Sequence, residues 1–227
     1  MLRTRSTATE IMDDARQTEA AFRTALRNLE WLTRVTFGYR PTLRFLDRVV
    51  AETGVRSLSI LDVGAGGGDM LRRISRWGER RGIALTLTGC DLSPWAERHA
   101  RQAGTPGEWI TGDVFTLPRE RRFDIILCSL FTHHLPDPAL VRFLQLIDER
   151  ATRGWFVSDL HRHWLAWGGL WLLVRVTFMD PMVRHDSTVS VARGFVGADW
   201  DAALAAAGIR AERRWQFPFR WSVAVLR

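Results

Sequence analysis

The chain has 227 residues, 46% of them hydrophobic and 25% charged, which is enough for one domain with a full core and too apolar for intrinsic disorder. Its formal net charge of +7 invites a nucleic-acid partner. The 32 basic residues are all arginine, however, and they are scattered in pairs such as Arg72-Arg73 and Arg213-Arg214, so a solvated surface and no nucleic-acid partner are expected. Cys90 and Cys128 lie inside apolar runs, with neither zinc-site nor disulfide spacing; buried, reduced thiols and a cytoplasmic setting are expected. The first ten residues carry no apolar signal core, and the longest apolar stretch, 164–174, falls short of the roughly 20 residues that span a bilayer.

In chain order, Thr7-x-x-Glu10 reads as a capping box opening a helix. Phe22, Leu26, Leu29 and Thr33 follow helical spacing, Pro41 marks a break, and Leu43, Phe45, Leu46, Val49 and Val50 predict a second helix ending near Gly54. Residues 1–54 are expected to be a helical cap within a single domain spanning 1–227. From Leu58 the pattern alternates, with strands over 58–63, 84–91, 108–111, 123–129 and 154–159, and helices after Gly68, over 94–103 and over 137–150. That alternation predicts a parallel sheet with helices on both faces. Beyond Asp159 come a tryptophan-rich segment to about Met179 and a mixed loop over 180–197, so 160–197 is expected to be an insertion or lid. A helix opens at Asp199 and stops at Gly208. The runs 209–217 and 221–226 lie too close for a parallel crossover and must pair as an antiparallel hairpin.

The stretch Ser59-Ile-Leu-Asp-Val-Gly-Ala-Gly-Gly-Gly-Asp-Met70 is a buried-strand run followed by a glycine turn, with Leu71, Ile74 and Trp77 at helical spacing beyond it. Strand, glycine turn and helix N-terminus together form a seat for a nucleotide-like ligand. Asp91 ends the second strand, where a carboxylate can accept hydrogen bonds from a ribose diol. Asp113 follows the third strand, where it can meet an adenine amino group, with Val114 and Phe115 beside the ring. The rival for this fold is a nicotinamide dinucleotide, but the run Gly64-x-Gly66-Gly67-Gly68 lacks the glycine at position 69 that a Gly-x-Gly-x-x-Gly fingerprint needs, and no lysine exists for a Tyr-x-x-x-Lys motif.

Leu61-Asp-Val-Gly-Ala-Gly-Gly-Gly-Asp69, Gly89-Cys-Asp-Leu-Ser93, Gly112-Asp113 and Phe123-Asp-Ile-Ile-Leu-Cys-Ser129 resemble the successive motifs of class I S-adenosylmethionine-dependent methyltransferases. Phe131-Thr-His-His-Leu-Pro-Asp-Pro138 is similar to the segment after the fourth strand in the ubiquinone/menaquinone-biosynthesis type. The resemblance covers roughly residues 58–160 and the terminal hairpin. It implies an α/β, Rossmann-like fold with a seven-stranded sheet of order 3-2-1-4-5-7-6, strand 7 antiparallel. It implies S-adenosyl-L-methionine as cofactor and S-adenosyl-L-homocysteine (SAH) as product. Asp62 and Gly64, Ala65, Gly66 and Gly68 would contact the methionine end, Asp91 and Leu92 the ribose side, and Asp113 and Val114 the adenine; Ser129 and Phe131 would line the methyl-transfer face.

The acceptor side rests on residue chemistry. A phenolic nucleophile benefits from a general base, and His134, His161 and His185 are the candidates. No metal is expected: metal-dependent catechol methyltransferases hold a carboxylate where this chain has Ser129, and the imidazoles of His161 and His163 are expected to diverge. Leu160, Trp164, Trp167, Trp171 and Val174 form an apolar stripe that fits core packing, a lid over a greasy acceptor, or peripheral membrane contact. Arg162, Arg175 and Arg184 are placed to flank an anionic group, and Arg40 to pair the cofactor carboxylate. The expected activity is methylation, by first choice O-methylation, of a small hydrophobic or aromatic acceptor in quinone-like or secondary-metabolite biosynthesis. The alternatives are a nucleic-acid or protein methyltransferase, disfavoured because no Asn/Asp-Pro-Pro-Tyr/Phe motif follows the fourth strand, and a non-catalytic cofactor-binding protein.

Overall fold

The computed structural model describes residues 2–14 and 16–227. Two helices, α1 (Glu19–Val35) and α2 (Arg40–Thr53), precede an alternating series: β1 (Ser57–Val63), α3 (Asp69–Arg81), β2 (Ala84–Asp91), α4 (Pro94–Gln102), β3 (Glu108–Thr111), β4 (Phe123–Ser129), α5 (Asp137–Arg150) and β5 (Ala151–Leu160). Three helices follow, α6 (Trp164–Val176), α7 (Pro181–Arg193) and α8 (Gly197–Ala207), and the chain closes with β6 (Glu212–Gln216) and β7 (Arg220–Leu226).

The seven strands form one sheet in the order β3-β2-β1-β4-β5-β7-β6. β1 runs parallel to both β2 and β4, and β7 runs antiparallel to β5 and β6. This is the expected topology. Because chain order reverses direction beside β1, a crevice opens above the carboxyl ends of β1 and β4. The central strands are apolar on both sides because helices cover both faces. One face packs Leu140, Phe143, Leu144 and Ile147 of α5 and Trp200 of α8 against Ile126, Cys128, Trp155 and Val157. The other packs Phe45, Leu46 and Val49 of α2 and Leu71, Ile74 and Trp77 of α3 against Leu58, Ile60, Ile125 and Phe156. Each such fully buried side chain contributes about 1.5–3 kcal/mol relative to exposure.

At the amino ends of the strands, Asp124 ties β1, β4 and β5 together. Its carboxylate accepts the Ser59 N–H (2.9 Å), the Ser59 hydroxyl (2.8 Å) and Arg153 Nε (3.1 Å), while the Asp124 N–H donates to Ser59 Oγ (2.8 Å).

Two local expectations fail. Thr7 and Glu10 form no capping box: Glu10 precedes only a three-residue 3-10 turn, Ile11–Asp13, without capping it, and its buried side chain turns inward, while α1 starts at Glu19, where the Thr18 side chain accepts the Ala21 N–H. The span expected to be a mixed loop over 180–197 is mostly α7. Its start follows from Asp180, whose carboxylate accepts the Met182 N–H (2.9 Å), and from Pro181 in the first turn, where a missing N–H costs nothing. Among the described residues no helix is long and apolar enough to cross a membrane.

Candidate active site

The crevice is one cavity of about 1110 Å³, bounded by the glycine turn, the ends of β2, β4 and β5, the helices α1, α6 and α7, and the segment from Glu10 to Asp14. The drug-sized pockets of most proteins hold 300–1,000 Å³, so there is room for a nucleoside cofactor and a second molecule.

The glycine turn is shaped by its neighbours. Gly64, Gly66 and Gly68 all have positive φ (69°, 50° and 70°). A Cβ on Gly64 would lie 2.9 Å from the Phe131 ring, and one on Gly68 2.7 Å from the Thr105 methyl, so the chain tolerates no side chain at either point. The Gly64 and Ala65 N–H groups bond to Cys90 O, which draws the turn against the end of β2. Asp91 then completes the join: Oδ2 accepts the Gly66 N–H (2.9 Å) and Oδ1 accepts the Ser93 N–H (2.9 Å). Each oxygen keeps a second acceptor site, and Asp91 lines the cavity. A carboxylate with two free acceptor sites over a glycine turn suits a vicinal diol. Asp113 caps the short turn Val114–Thr116 by accepting the Phe115 N–H (3.0 Å), and Val114 and Phe115 stand beside it on the cavity wall. These contacts fit an adenosine, with the ribose on Asp91 and the base against Val114 and Phe115.

Burial acts strongly on the acids of this wall. Asp62 is held well above the usual carboxylate range by burial and by neighbouring Asp69 and Asp91. Burial also raises Asp91, against the opposing pull of the Ser93 and Gly66 N–H groups. Asp69, raised by burial, accepts the Tyr39 hydroxyl. The arrangement is an acidic wall poised for a cationic ligand group.

Beyond the nucleoside seat, β4 ends in Ser129, and Leu130 follows in the left-handed region (φ 56°), its N–H bonded to Ser158 O (2.9 Å). That strained turn aims Phe131 across the glycine loop and starts the turn Thr132–His134. Here the structure assembles a charged cluster that sequence reading missed. His133 is buried; its Nδ1–H donates to Asp159 Oδ1 (2.7 Å) and its Nε2 lies 3.4 Å from Glu10 Oε1. Burial opposes charge on His133, but Asp159 and Glu10 outweigh it and push the imidazole up to about 9. Asp159 is fully occupied, accepting also from the Thr132 hydroxyl (2.5 Å), the His133 N–H (3.1 Å) and the Leu160 N–H (2.7 Å). His133 is therefore an imidazolium at neutral pH, bracketed by carboxylates.

Its neighbour differs. His134 lines the cavity, with Nδ1 3.0 Å from Asp13 Oδ2 and Nε2 3.8 Å from Glu10 Oε2; in the tautomer whose Nδ1–H donates to Asp13, the lone pair is on Nε2. Burial raises Asp13, but the His134 hydrogen bond and charge outweigh it and lower it overall.

His161 and His185 do not join this cluster. His161 lies outside the cavity lining, its Nδ1 accepting the Trp215 N–H (3.1 Å). His185 is on the outer side of α7, bonded to Asp186 (2.8 Å), whose carboxylate also accepts the Ile11 and Met12 N–H groups. The expectation of divergent imidazoles at His161 and His163 also fails: the ring centroids are 5.4 Å apart, because residues two apart in extended chain share a face. The spacing argument against a metal overlooked Glu10, His133 and His134, whose ligand atoms lie within 4.8 Å of one another.

None of the four arginines expected near an anion lines the cavity. Arg162 is a buried clamp on Gly194 O (2.7 Å) and Asp199 (2.9 Å), Arg175 lies over Trp171, and Arg40 lies over Phe37; Arg184 is also absent from the wall. The arginine that does line it is Arg220, at the start of β7.

Residues 60–154 match a family model described as a methyltransferase domain. Among curated proteins, the chain is similar to the ubiquinone biosynthesis O-methyltransferase of Nitrosomonas europaea, with 29% identity over 105 residues, 44% of this chain and 41% of the relative. The protein of the same name from Paracidovorax citrulli is 37% identical over 89 residues, 36% of this chain and 35% of the relative. The match thus spans about two fifths of the length of these relatives. Among solved structures, the plantazolicin methyltransferase BpumL in complex with SAH aligns with a TM-score of 0.68 at 14% identity, covering 92% of this chain and 95% of that one. Magnesium protoporphyrin IX methyltransferase from Synechocystis PCC 6803 with bound SAH aligns with a TM-score of 0.56 at 18% identity, covering 85% and 82%. Residues 60–154 thus match a methyltransferase-domain model, and the seven-stranded sheet around them gives the chain the fold of the class I S-adenosylmethionine-dependent methyltransferases.

Proposed function

We propose that this protein transfers a methyl group from S-adenosyl-L-methionine to the hydroxyl of a small, hydrophobic acceptor. The observation that carries this reading is Asp91, a cavity-lining carboxylate whose Oδ2 accepts from the glycine turn and whose Oδ1 accepts from the Ser93 N–H, so that each oxygen keeps one acceptor site. The solved relatives named above hold SAH, and the curated ones are named as O-methyltransferases, which supports the same cofactor and chemistry here.

When bound, S-adenosylmethionine supplies an electrophilic methyl group on a sulfonium. The chain's own contribution is alignment, exclusion of water and removal of one proton. Asp91 and the glycine turn fix the nucleoside, and the acidic wall of Asp62 and Asp69 favours the cationic end. Leu160, Leu165, Leu170 and Leu173 make the acceptor end of the cavity apolar. His134 takes the proton of the acceptor hydroxyl on Nε2, while Asp13 holds the ring in that tautomer and stabilises the imidazolium that forms. His133, clamped by Asp159, positions the turn that carries His134.

The acceptor reaches the site beneath α6, in this reading, from a lipid surface. The outer face of α6 exposes Trp164 (67%) and Leu172, and Phe178 just beyond it is 89% exposed. The inner face roofs the cavity. Peripheral contact through such a face suits a greasy acceptor that partitions into membrane.

Calorimetric titration with SAH tests the reading: a 1:1 complex is expected, and no binding would sink it. Turnover of S-adenosylmethionine with phenolic acceptors, followed by mass spectrometry, then tests O-methylation; a product methylated on carbon or nitrogen would overturn that part.

A further inference from the structure

Arg220 stands in an unusual setting. It opens β7 opposite Leu160 of β5 and lines the cavity, yet it is only 4% exposed. Its Nη1 is buried with no hydrogen-bond partner among the described residues. The field of the buried acid Asp159 reaches Arg220. Asp159 cannot pair with it, because its oxygens already accept from Thr132, His133 and Leu160. The guanidinium instead lies against backbone: a Cβ on Gly38 would come within 2.8 Å of Arg220 Nη2. That close seat at the α1–α2 junction holds the planar group in place.

The strand beneath it is equally unsatisfied. Ser222 follows Arg220 on the same face of β7, Ser158 is its register partner on β5, and both hydroxyls are buried without partners among the described residues. Burying a permanently charged fork without a counter-charge is costly, and a guanidinium does not escape by losing its proton. Such a group is retained where a ligand completes it. Its fork geometry selects a planar, two-oxygen anion.

We propose that Arg220 is the carboxylate anchor of the cavity: its guanidinium receives, in a two-point hydrogen bond, the carboxylate of a bound ligand. This rests on the methyltransferase reading and deepens it. Two ligands offer that chemistry, the amino-acid end of the cofactor and an acid group on the acceptor. Asp62 and Asp69 line the same cavity and suit an ammonium, so the charges together suit an amino-acid zwitterion.

The test compares wild type, Arg220→Lys and Arg220→Met by calorimetry with two probes, SAH and 5′-methylthioadenosine, which keeps the nucleoside and thioether but lacks the amino-acid end. If the cofactor supplies the carboxylate, Arg220→Met weakens SAH by roughly tenfold or more and leaves 5′-methylthioadenosine unchanged, with Arg220→Lys between. If the acceptor supplies it, SAH affinity holds, and SAH-loaded wild type binds 4-hydroxybenzoate in preference to 4-hydroxybenzamide, a preference that Arg220→Met abolishes. In both cases ligand-free Arg220→Met melts no lower than wild type, whereas a purely structural arginine would lower the midpoint. Should Arg220→Met not fold, that outcome itself counts against the proposal, and wild-type discrimination between SAH and its carboxamide decides the cofactor arm. Equal affinities of wild type and variant for SAH, with no acid-over-amide preference, overturn the proposal. Failure of wild type to bind either nucleoside would instead overturn the methyltransferase reading.

Discussion

Replacing Asp91 by alanine is the most direct perturbation of the nucleoside seat. The carboxylate has four acceptor sites. Gly66 N–H and Ser93 N–H occupy two of them, each at 2.9 Å, and two remain for the ribose hydroxyls. Hydrogen bonds to a charged acceptor contribute about 1.5–3 kcal/mol each, and water partly refills the vacated space, so a net loss of about 2–4 kcal/mol is expected, or roughly 30- to 1,000-fold in Kd for SAH. Asp91→Asn keeps one acceptor oxygen and turns the other into a donor facing a backbone N–H, so it falls between the two. The sign of the pH dependence follows from the same carboxylate. Only the anion accepts both hydroxyls, and burial raises Asp91, so binding weakens as pH falls and does so at higher pH than for an ordinary carboxylate. Calorimetry with SAH and with its 2′-deoxyribose analogue measures both the total effect and its coupling to the diol. A folded Asp91→Ala protein whose Kd lies within about threefold of wild type would refute the assignment.

Three further outcomes are expected. His134→Gln lowers the single-turnover rate with a hydroxyl acceptor by about 10²–10⁴ while SAH affinity changes little; an unchanged rate removes His134 as the base. His133, raised from an ordinary value of 6.5 to about 9, contributes stability that is fully present below pH 6.5 and lost as pH rises through about 9. The loss is on the order of 3 kcal/mol, read as a falling urea midpoint between those limits, and His133→Gln should flatten that slope. Finally, Trp164→Asp combined with Phe178→Asp should abolish co-sedimentation with lipid vesicles without altering SAH affinity, since both side chains face away from the cavity; persistent sedimentation would remove α6 as the contact.

The sheet was legible, and with it the glycine turn and strand-end acids of the candidate site, because local patterns determine them. The run 58–63, the glycines and the strand-end acids Asp91 and Asp113 lie in consecutive strand–turn–helix units, and each unit carries its own signal. The acceptor half was not legible, because it is made by contacts between distant segments. Glu10 meets His133 across more than a hundred residues, and nothing near Glu10 distinguishes an inward-turned acid from half of a capping box. His133 could have been singled out by Asp159, a carboxylate at the end of the adjacent strand, but its burial and double pairing are tertiary facts. For α7 the signal was present: Asp180-Pro181 is a cap followed by a first-turn proline, and it lost weight beside the weak apolar periodicity of 182–193. Arg220 sits in a hairpin read only for strand direction, and its lack of a partner is visible only when every neighbour is placed.

The Asp124 junction has a consequence for how this molecule can change. Its hydrogen bonds to Ser59 and Arg153 bind three strands at the pole opposite the cavity. Rigidity and reactivity are thereby separated along the strand axis. One end is saturated with partners, and the other carries Asp62, raised by burial, an Arg220 Nη1 without a hydrogen-bond partner among the described residues, and a strained Leu130. Substitutions at Asp124 should register as melting temperature with ligand affinity intact, and substitutions at Asp62 or Arg220 as affinity with melting temperature level or raised. A lineage with this layout can alter its acceptor at one end without endangering the scaffold held at the other.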